Sequence, residues 1–334
     1  MYSKILLTIC FTILIQFEKG EELRAQEQFE KGYTAGSYFD AFFSNIQAWE
    51  KGDVLIKVTE SFDSEKSVGA ENAMVAEKTY LMRLAFDYEQ DKYFFASVSD
   101  GFVIKPNPEV EGEKLQAKTG VVKGLILDRD ASYSRWFPEP TTTLKGNKRE
   151  MVQRLKERYG IPDLRSLGIN EFGVSIPYEQ LELMYKRRIT GDGIKSIRAD
   201  GDSTVLKYSK KIPDLGDYTA ENSYKIDNEW LVPTRVKYDG VFDGKRGMIS
   251  RFKYQWGNAD GVMVPKNIVE DLSQSRLEDG VRHVFILNRE VEFHWISFNQ
   301  ELDKSLFDKE NLDSLSKLRL LVKPAGKGEK DITE

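Results

Sequence analysis

The sequence predicts an α+β protein that is mainly antiparallel β: one curved sheet, or incomplete β-barrel, covered by helices. Three observations carry this. Runs of alternating apolar and polar residues recur along the chain. Asp-Gly pairs, strong tight-turn signals, fall between many of them, with the Asp at 192, 200, 239, 243, 260 and 279. Only three stretches show helical spacing.

The chain opens with a targeting pattern. Lys4 precedes a short apolar core, Ile5 to Ile15, which Gln16 and Glu18 stop. The core is shorter than the ~18 residues of a spanning helix and fits a secretory signal peptide over residues 1–26, cut after Ala25 or Gly20. Cys10 is the only cysteine, and Ile9 before it fits a lipidation signal badly. Loss of the leader leaves a chain without thiols, which suits a periplasmic or secreted protein and no transmembrane segment.

Residues 36–51 read as a helix whose Phe39, Phe42, Phe43, Ile46 and Trp49 share one face. That stripe needs a large apolar partner, and a membrane-surface role lacks the Lys/Arg cluster it requires. Strands follow over 54–59, 80–88, 93–98 and 121–127. In the second, Tyr80, Met82, Leu84, Phe86 and Tyr88 share a face, with Arg83 and Asp87 opposite. Asp100-Gly101 reads as a turn.

Residues 147–159 and 177–188 read as mostly polar helices on the outside of the sheet, the second with Pro177 in its first turn. They form a helical insertion near 140–190. From about residue 190 the chain is almost all strand, ordered as a meander. Met248, Ser250, Phe252, Tyr254 and Trp256 alternate with Arg251 and Lys253. Val281, His283, Phe285 and Leu287, then Val291, Phe293 and Trp295, read as two strands around a turn. Trp230 to Val236 and Val262 to Ile268 echo each other around a Val-Pro pair, 32 residues apart. No Pro- or Gly-rich linker divides the chain, so residues 27–322 read as one domain and 323–334 as a disordered tail.

The composition and motifs exclude much chemistry. Forty-nine Lys and Arg against 54 Asp and Glu give a net charge of −5, which does not favour nucleic acid. One Cys and two His leave no cysteine-based metal site and few histidine-dependent mechanisms. No phosphate loop, dinucleotide fingerprint, HExxH or GxSxG motif is present. His283 and His294 fall on strands of opposite parity. Glu109, Glu111 and Glu113 lie in a polar loop, and Asp87 and Glu89 make no glycosidase pair. Asp200-Gly201-Asp202 lacks the later ligands of a calcium loop. The expectation is a non-enzymatic protein with no cofactor and no metal.

The remaining signal is aromatic: 15 Tyr, 19 Phe and 5 Trp, largely on strand faces. Core packing is the plainer reading of each one. A broad sheet, however, needs its inner face covered, and the 36–51 helix and an apolar ligand are the two candidates.

The order of elements resembles the LolA/LolB-like superfamily of periplasmic lipoprotein carriers. The local matches are Phe86-Asp87-Tyr88, the stretch Phe94 to Gly101, and the stretch Phe293 to Asn299 followed by Leu302-Asp303 and Ser305-Leu306-Phe307. The resemblance spans roughly 36–308 and leaves 130–190 without a counterpart. It implies an incomplete barrel with an apolar cavity for acyl chains, and partners that are a lipid, an acyl chain or a lipoprotein. The family's ligand-gating arginine corresponds to Arg83, which the alternation puts opposite Phe86 and Tyr88.

The functional expectation is an extracytoplasmic protein holding a lipid or acyl chain. Its apolar lining is Phe86, Tyr88, Phe252, Tyr254, Trp256, Phe293 and Trp295. The alternative is a structural or interaction protein whose side chains fill the sheet's core.

Overall fold

A computed structural model describes residues 35–313 apart from 64–74, 106–115, 118–121, 129–131, 137–138, 145–148, 169–171, most of 173–193, 213–217, 228, 243–245 and 279–280. The predicted leader, the acidic loop at 109–113, the Asp192-Gly193 pair, most of the 177–188 helix and the 323–334 tail lie outside the described residues.

The chain enters through helix α1 (Ala35–Gln47) and then builds β1 (Lys51–Asp63), β2 (Val75–Asp87) and β3 (Lys92–Lys105). Shorter strands β4 (Gln116–Ala117), β5 (Val122–Leu127), β6 (Ser132–Trp136) and β7 (Thr142–Leu144) lead to helix α2 (Arg149–Tyr159) and a single 3₁₀ turn at Leu164–Ser166. The second half is β8 (Ile194–Asp200), β9 (Ser203–Ile212), β10 (Tyr218–Asp227), β11 (Pro233–Phe242), β12 (Arg246–Ala259), β13 (Val262–Glu278) and β14 (Val281–Phe298). A 3₁₀ turn at Lys304–Phe307 and a short helix, α3 (Glu310–Asp313), follow.

All strands join one antiparallel sheet ordered β7-β6-β5-β3-β2-β1-β14-β13-β12-β11-β10-β9-β8, with β4 on β3. The first and last strands of the sequence's long meander, β1 and β14, pair in the middle over Gly52–Asp63. The edges β7 and β8 do not pair with each other, so the sheet is open and not closed into a barrel.

The strand periodicity predicts these elements well and their punctuation less well. Asp200-Gly201 and Asp260-Gly261 are hairpin turns, with positive φ at Gly201, Asp260 and Gly261. Asp239-Gly240, however, lies inside β11. Asp100-Gly101 lies inside β3, where the register moves from Tyr80↔Ser99 to Lys78↔Phe102. Two residues of β3 thus face one of β2, so the pair is a bulge and not a turn. The two strands expected over 281–295 are a single 18-residue strand. A bulge at the Asp53/Val54 step of its pairing with β1 leaves Ile296 36% exposed and turns Phe298 inward, 1% exposed.

Helix α1 defines the inner face of the sheet. Tyr38, Phe42, Phe43, Ile46 and Trp49 are buried against it, and the Phe39 side chain lies outside the described residues. Tyr38 OH meets Thr204 Oγ1 of β9 at 2.6 Å. Phe42 packs edge-on to Trp256 of β12, and Trp49 to Trp295 of β14. The helix therefore lies across the strands from β9 to β14. Asn45 fixes it there. Its Nδ2 donates to the Met263 carbonyl at 2.9 Å, and its Oδ1 accepts from the Met263 N–H at 2.8 Å.

Helix α2, expected outside the sheet, also buries a face inward. Leu155 and Tyr159 join the same core, and Lys156 is only 5% exposed. The polar character of 147–159 hid this, because three consecutive turns supply just enough apolar surface at one end. Ile161, Leu164, Leu167 and Phe172 add to the cover. At Gly168, φ is +84 and a Cβ would stand 2.8 Å from Pro233 Cγ, so glycine allows both the turn and the close approach. On the outer face, Leu306, Phe307 and Leu312 cover Ala85, Phe94, Ala96 and Ile126.

Candidate ligand-binding site

The seven aromatics expected to line a ligand site are all on the inner face and all in one cluster. Phe86, Phe252, Tyr254, Phe293 and Trp295 are buried, while Tyr88 and Trp256 are partly buried at its margin. They fall into two groups. Phe252, Tyr254 and Trp256 stack in file along β12, with centroids 6.3 and 5.9 Å apart. Phe86 stacks on Tyr88 at 4.3 Å and meets Trp295 edge-on. Phe293 packs on Phe172 of the covering segment. Gly52 makes room for the second group: a Cβ there would lie 2.9 Å from both Phe86 Cζ and Trp295 Cζ3.

The repeated Val-Pro units have a shared task. Trp256 Nε1 donates to the Pro233 carbonyl at 2.8 Å, and Trp295 Nε1 to the Pro265 carbonyl at 3.0 Å. Each proline thus offers a carbonyl to the indole on the next strand, which satisfies the polar end of an otherwise buried ring.

Two charged clusters interrupt this apolar surface, and neither was among the residues singled out from the sequence. The first is a row across the sheet. Glu60 of β1 pairs with Arg289 of β14, and Arg289 with Glu270 of β13. Arg289 Nε donates to Glu60 Oε1 at 2.7 Å, and Nη1 to Glu270 Oε2 at 2.6 Å. Tyr80 OH donates to Glu60, and Phe172 closes the row: its N–H donates to Glu270 at 2.7 Å and its carbonyl accepts from Arg289 at 3.1 Å. Burial raises the Glu270 pKa, and Arg289 and the Phe172 N–H only partly offset it. The sequence held a signal: Glu60 continues the Val54, Ile56, Val58 alternation, and Arg289 bridges Leu287 and Val291 in phase.

The second cluster sits where β2 ends, β3 begins and α2 passes over them. Asp163, 1% exposed, takes a two-pronged contact from Arg165 at 3.0 and 2.9 Å. Burial would raise the Asp163 pKa, but Arg165 and then Lys156 outweigh it and hold the carboxyl below its ordinary range. The Arg165 guanidinium lies 3.7 Å above the Tyr88 ring. Lys156 Nζ donates to Tyr93 OH at 3.2 Å and lies 3.9 Å from Asp163. Nearby, Lys123 Nζ donates to the Tyr159 carbonyl at the C-terminus of α2, and burial lowers its pKa to about 8. No motif marks this cluster, because its members come from three separate elements.

Arg83, expected from the LolA-like resemblance to match a gating arginine, lies on the outer face. It holds Asp53 there through two contacts of 3.0 and 2.6 Å, as its parity predicts. His294 is exposed beside Glu292, 3.9 Å away. Among the described residues, no helix is long and apolar enough to cross a membrane.

No protein-family model matches the sequence, and no curated protein matches it. Among solved structures, the chain is similar to a DUF1329 family protein from Desulfovibrio piger. The identity is 10%, 83% of this chain and 98% of that one are covered, and the TM-score is 0.33. A LolA superfamily protein from Nitrosomonas europaea matches at 11% identity, 84% and 100% coverage and a TM-score of 0.30. A lipovitellin structure matches at 7% identity and a TM-score of 0.35, covering 77% of this chain and 26% of that one. Scores this low carry neither a fold assignment nor a function.

Proposed function

We propose that this protein is a non-enzymatic, extracytoplasmic binding protein that holds a lipid or acyl chain against the inner face of its sheet. One observation carries the reading. The inner face is an apolar, aromatic surface on an open sheet, running from Leu125 of β5 to Leu206 of β9. Thirteen strands at about 4.8 Å spacing measure roughly 58 Å across, whereas α1 and α2, with 13 and 11 residues, span about 20 and 17 Å. The inner-face alternation also continues past the Glu60–Arg289–Glu270 row, through Phe62, Leu272, Phe285 and Leu287. The ligand enters beneath α1, which packs on β12–β14 through Phe42, Asn45 and Trp49, and Phe86, Tyr88, Phe252, Tyr254, Trp256, Phe293 and Trp295 line its path.

A specific observation favours a second reading, an interaction protein with a self-filled core. The same rings stack on one another and on Phe42, Trp49 and Phe172. Titration of the purified protein with a fluorescent fatty-acid analogue separates the two. Saturable uptake, weakened at least tenfold by Trp256→Gln in a folded variant, supports the carrier. No uptake at any concentration supports the filled core.

A further inference from the structure

The cluster around Lys156 is short of acceptors. Among the described residues the Lys156 ammonium has one hydrogen bond, to Tyr93 OH, and stands 3.9 Å from Asp163. It has three donors, and its side chain is 6% exposed. Asp163 is already engaged by the Arg165 fork and by the Arg165 N–H. One ring away, the Tyr88 hydroxyl is shut from solvent and has no hydrogen-bond partner. The Leu164 N–H lies near enough to favour its ionised form, yet outside hydrogen-bond geometry. Lys156 therefore faces a carboxylate already held by the Arg165 fork, beside an unused phenol. A buried ammonium with donors to spare and a buried hydroxyl without a partner each cost free energy that a bound group would recover.

The apolar surface begins at the same place. Tyr88 stacks on Phe86, and Phe86 meets Trp295, so a line of rings runs from the cations into the core. We infer that Lys156 and the Tyr88 hydroxyl bind the anionic headgroup, a carboxylate or phosphate, of an amphiphile whose chain lies along Phe86 and Trp295. This rests on the acyl-chain reading above and adds the charge of the ligand to it. The oxygens of an anionic headgroup supply acceptors to both donors.

The test compares laurate, dodecanol and inorganic phosphate binding to the purified protein by calorimetry, with Tyr88→Phe and Lys156→Met as variants. Tyr88→Phe removes only an unpaired hydroxyl, so it folds even if Lys156→Met does not. The expected result is laurate binding about tenfold to a hundredfold tighter than dodecanol. That preference, the ratio of laurate to dodecanol affinity within each protein, shrinks in Tyr88→Phe and is lost in Lys156→Met. Equal binding of laurate and dodecanol to the unaltered protein overturns the headgroup site and leaves the acyl-chain reading intact. Binding of phosphate with uptake of neither chain overturns both and makes the cluster a free-anion site. No response to any of the three overturns the inference.

Discussion

Arg289 bonds Glu270 at 2.6 Å on the face of the sheet that carries the aromatics, and its other arm reaches Glu60 at 2.7 Å. Arg289 also holds the Phe172 carbonyl while Glu270 accepts from the Phe172 N–H, so this row ties the covering segment to the sheet. Removing Arg289 leaves two carboxylates facing each other out of water. Arg289→Met is therefore expected to cost about 3–5 kcal/mol in urea unfolding. Adding Glu60→Gln and Glu270→Gln to it should recover much of that loss. A single variant as stable as the unaltered protein would show that the row does not hold Phe172.

Asn45 clamps α1 through both its amide atoms to Met263. Asn45→Ala removes two hydrogen bonds, worth about 1–3 kcal/mol together. If α1 is the cover of the site, the same change should speed acyl-chain uptake in stopped-flow fluorescence. Lower stability with an unaltered uptake rate would place the entrance elsewhere.

Gly52 faces Phe86 and Trp295, and a Cβ there would stand 2.9 Å from each. The neighbours are rigid rings, so Gly52→Ala is expected to cost about 1–3 kcal/mol through overpacking. Tryptophan emission should shift with it, since Trp295 is the ring displaced. A neutral substitution would mean that the rings have room to part.

Lys123 titrates at about 8 in the folded chain because burial penalises its charge. In the unfolded chain it returns to the ordinary value of 10.5. Between these values the folded state binds fewer protons, so stability rises with pH, by at most ~1.4 kcal/mol per pH unit from this group. Thermal unfolding should show that rise above about pH 8, and Lys123→Met should lack it. A rise of equal slope in the variant would assign it to another group.

The sequence's alternation located the inner face with little loss. All seven aromatics named from it share that face, because side chains two residues apart on a strand take the same side of the sheet. Its turn signals were less specific, since a bulge uses the same Asp-Gly chemistry as a hairpin, as Asp100-Gly101 shows. The charged clusters were hidden for a different reason. Glu60, Glu270 and Arg289 meet only through strand order, with β1 and β14 side by side. Tyr88, Lys156 and Arg165 meet only when α2 folds over β3. Local periodicity reports which face a residue takes, whereas these sites depend on which distant elements become neighbours.

The most direct test of the central claim is native mass spectrometry of the purified protein, followed by solvent extraction. The account predicts an added mass that leaves on denaturation and appears in the extract as an acyl-chain compound. A clean apo mass, with no uptake of added fatty acid or lipopeptide, would contradict it and leave a sheet filled by its own rings.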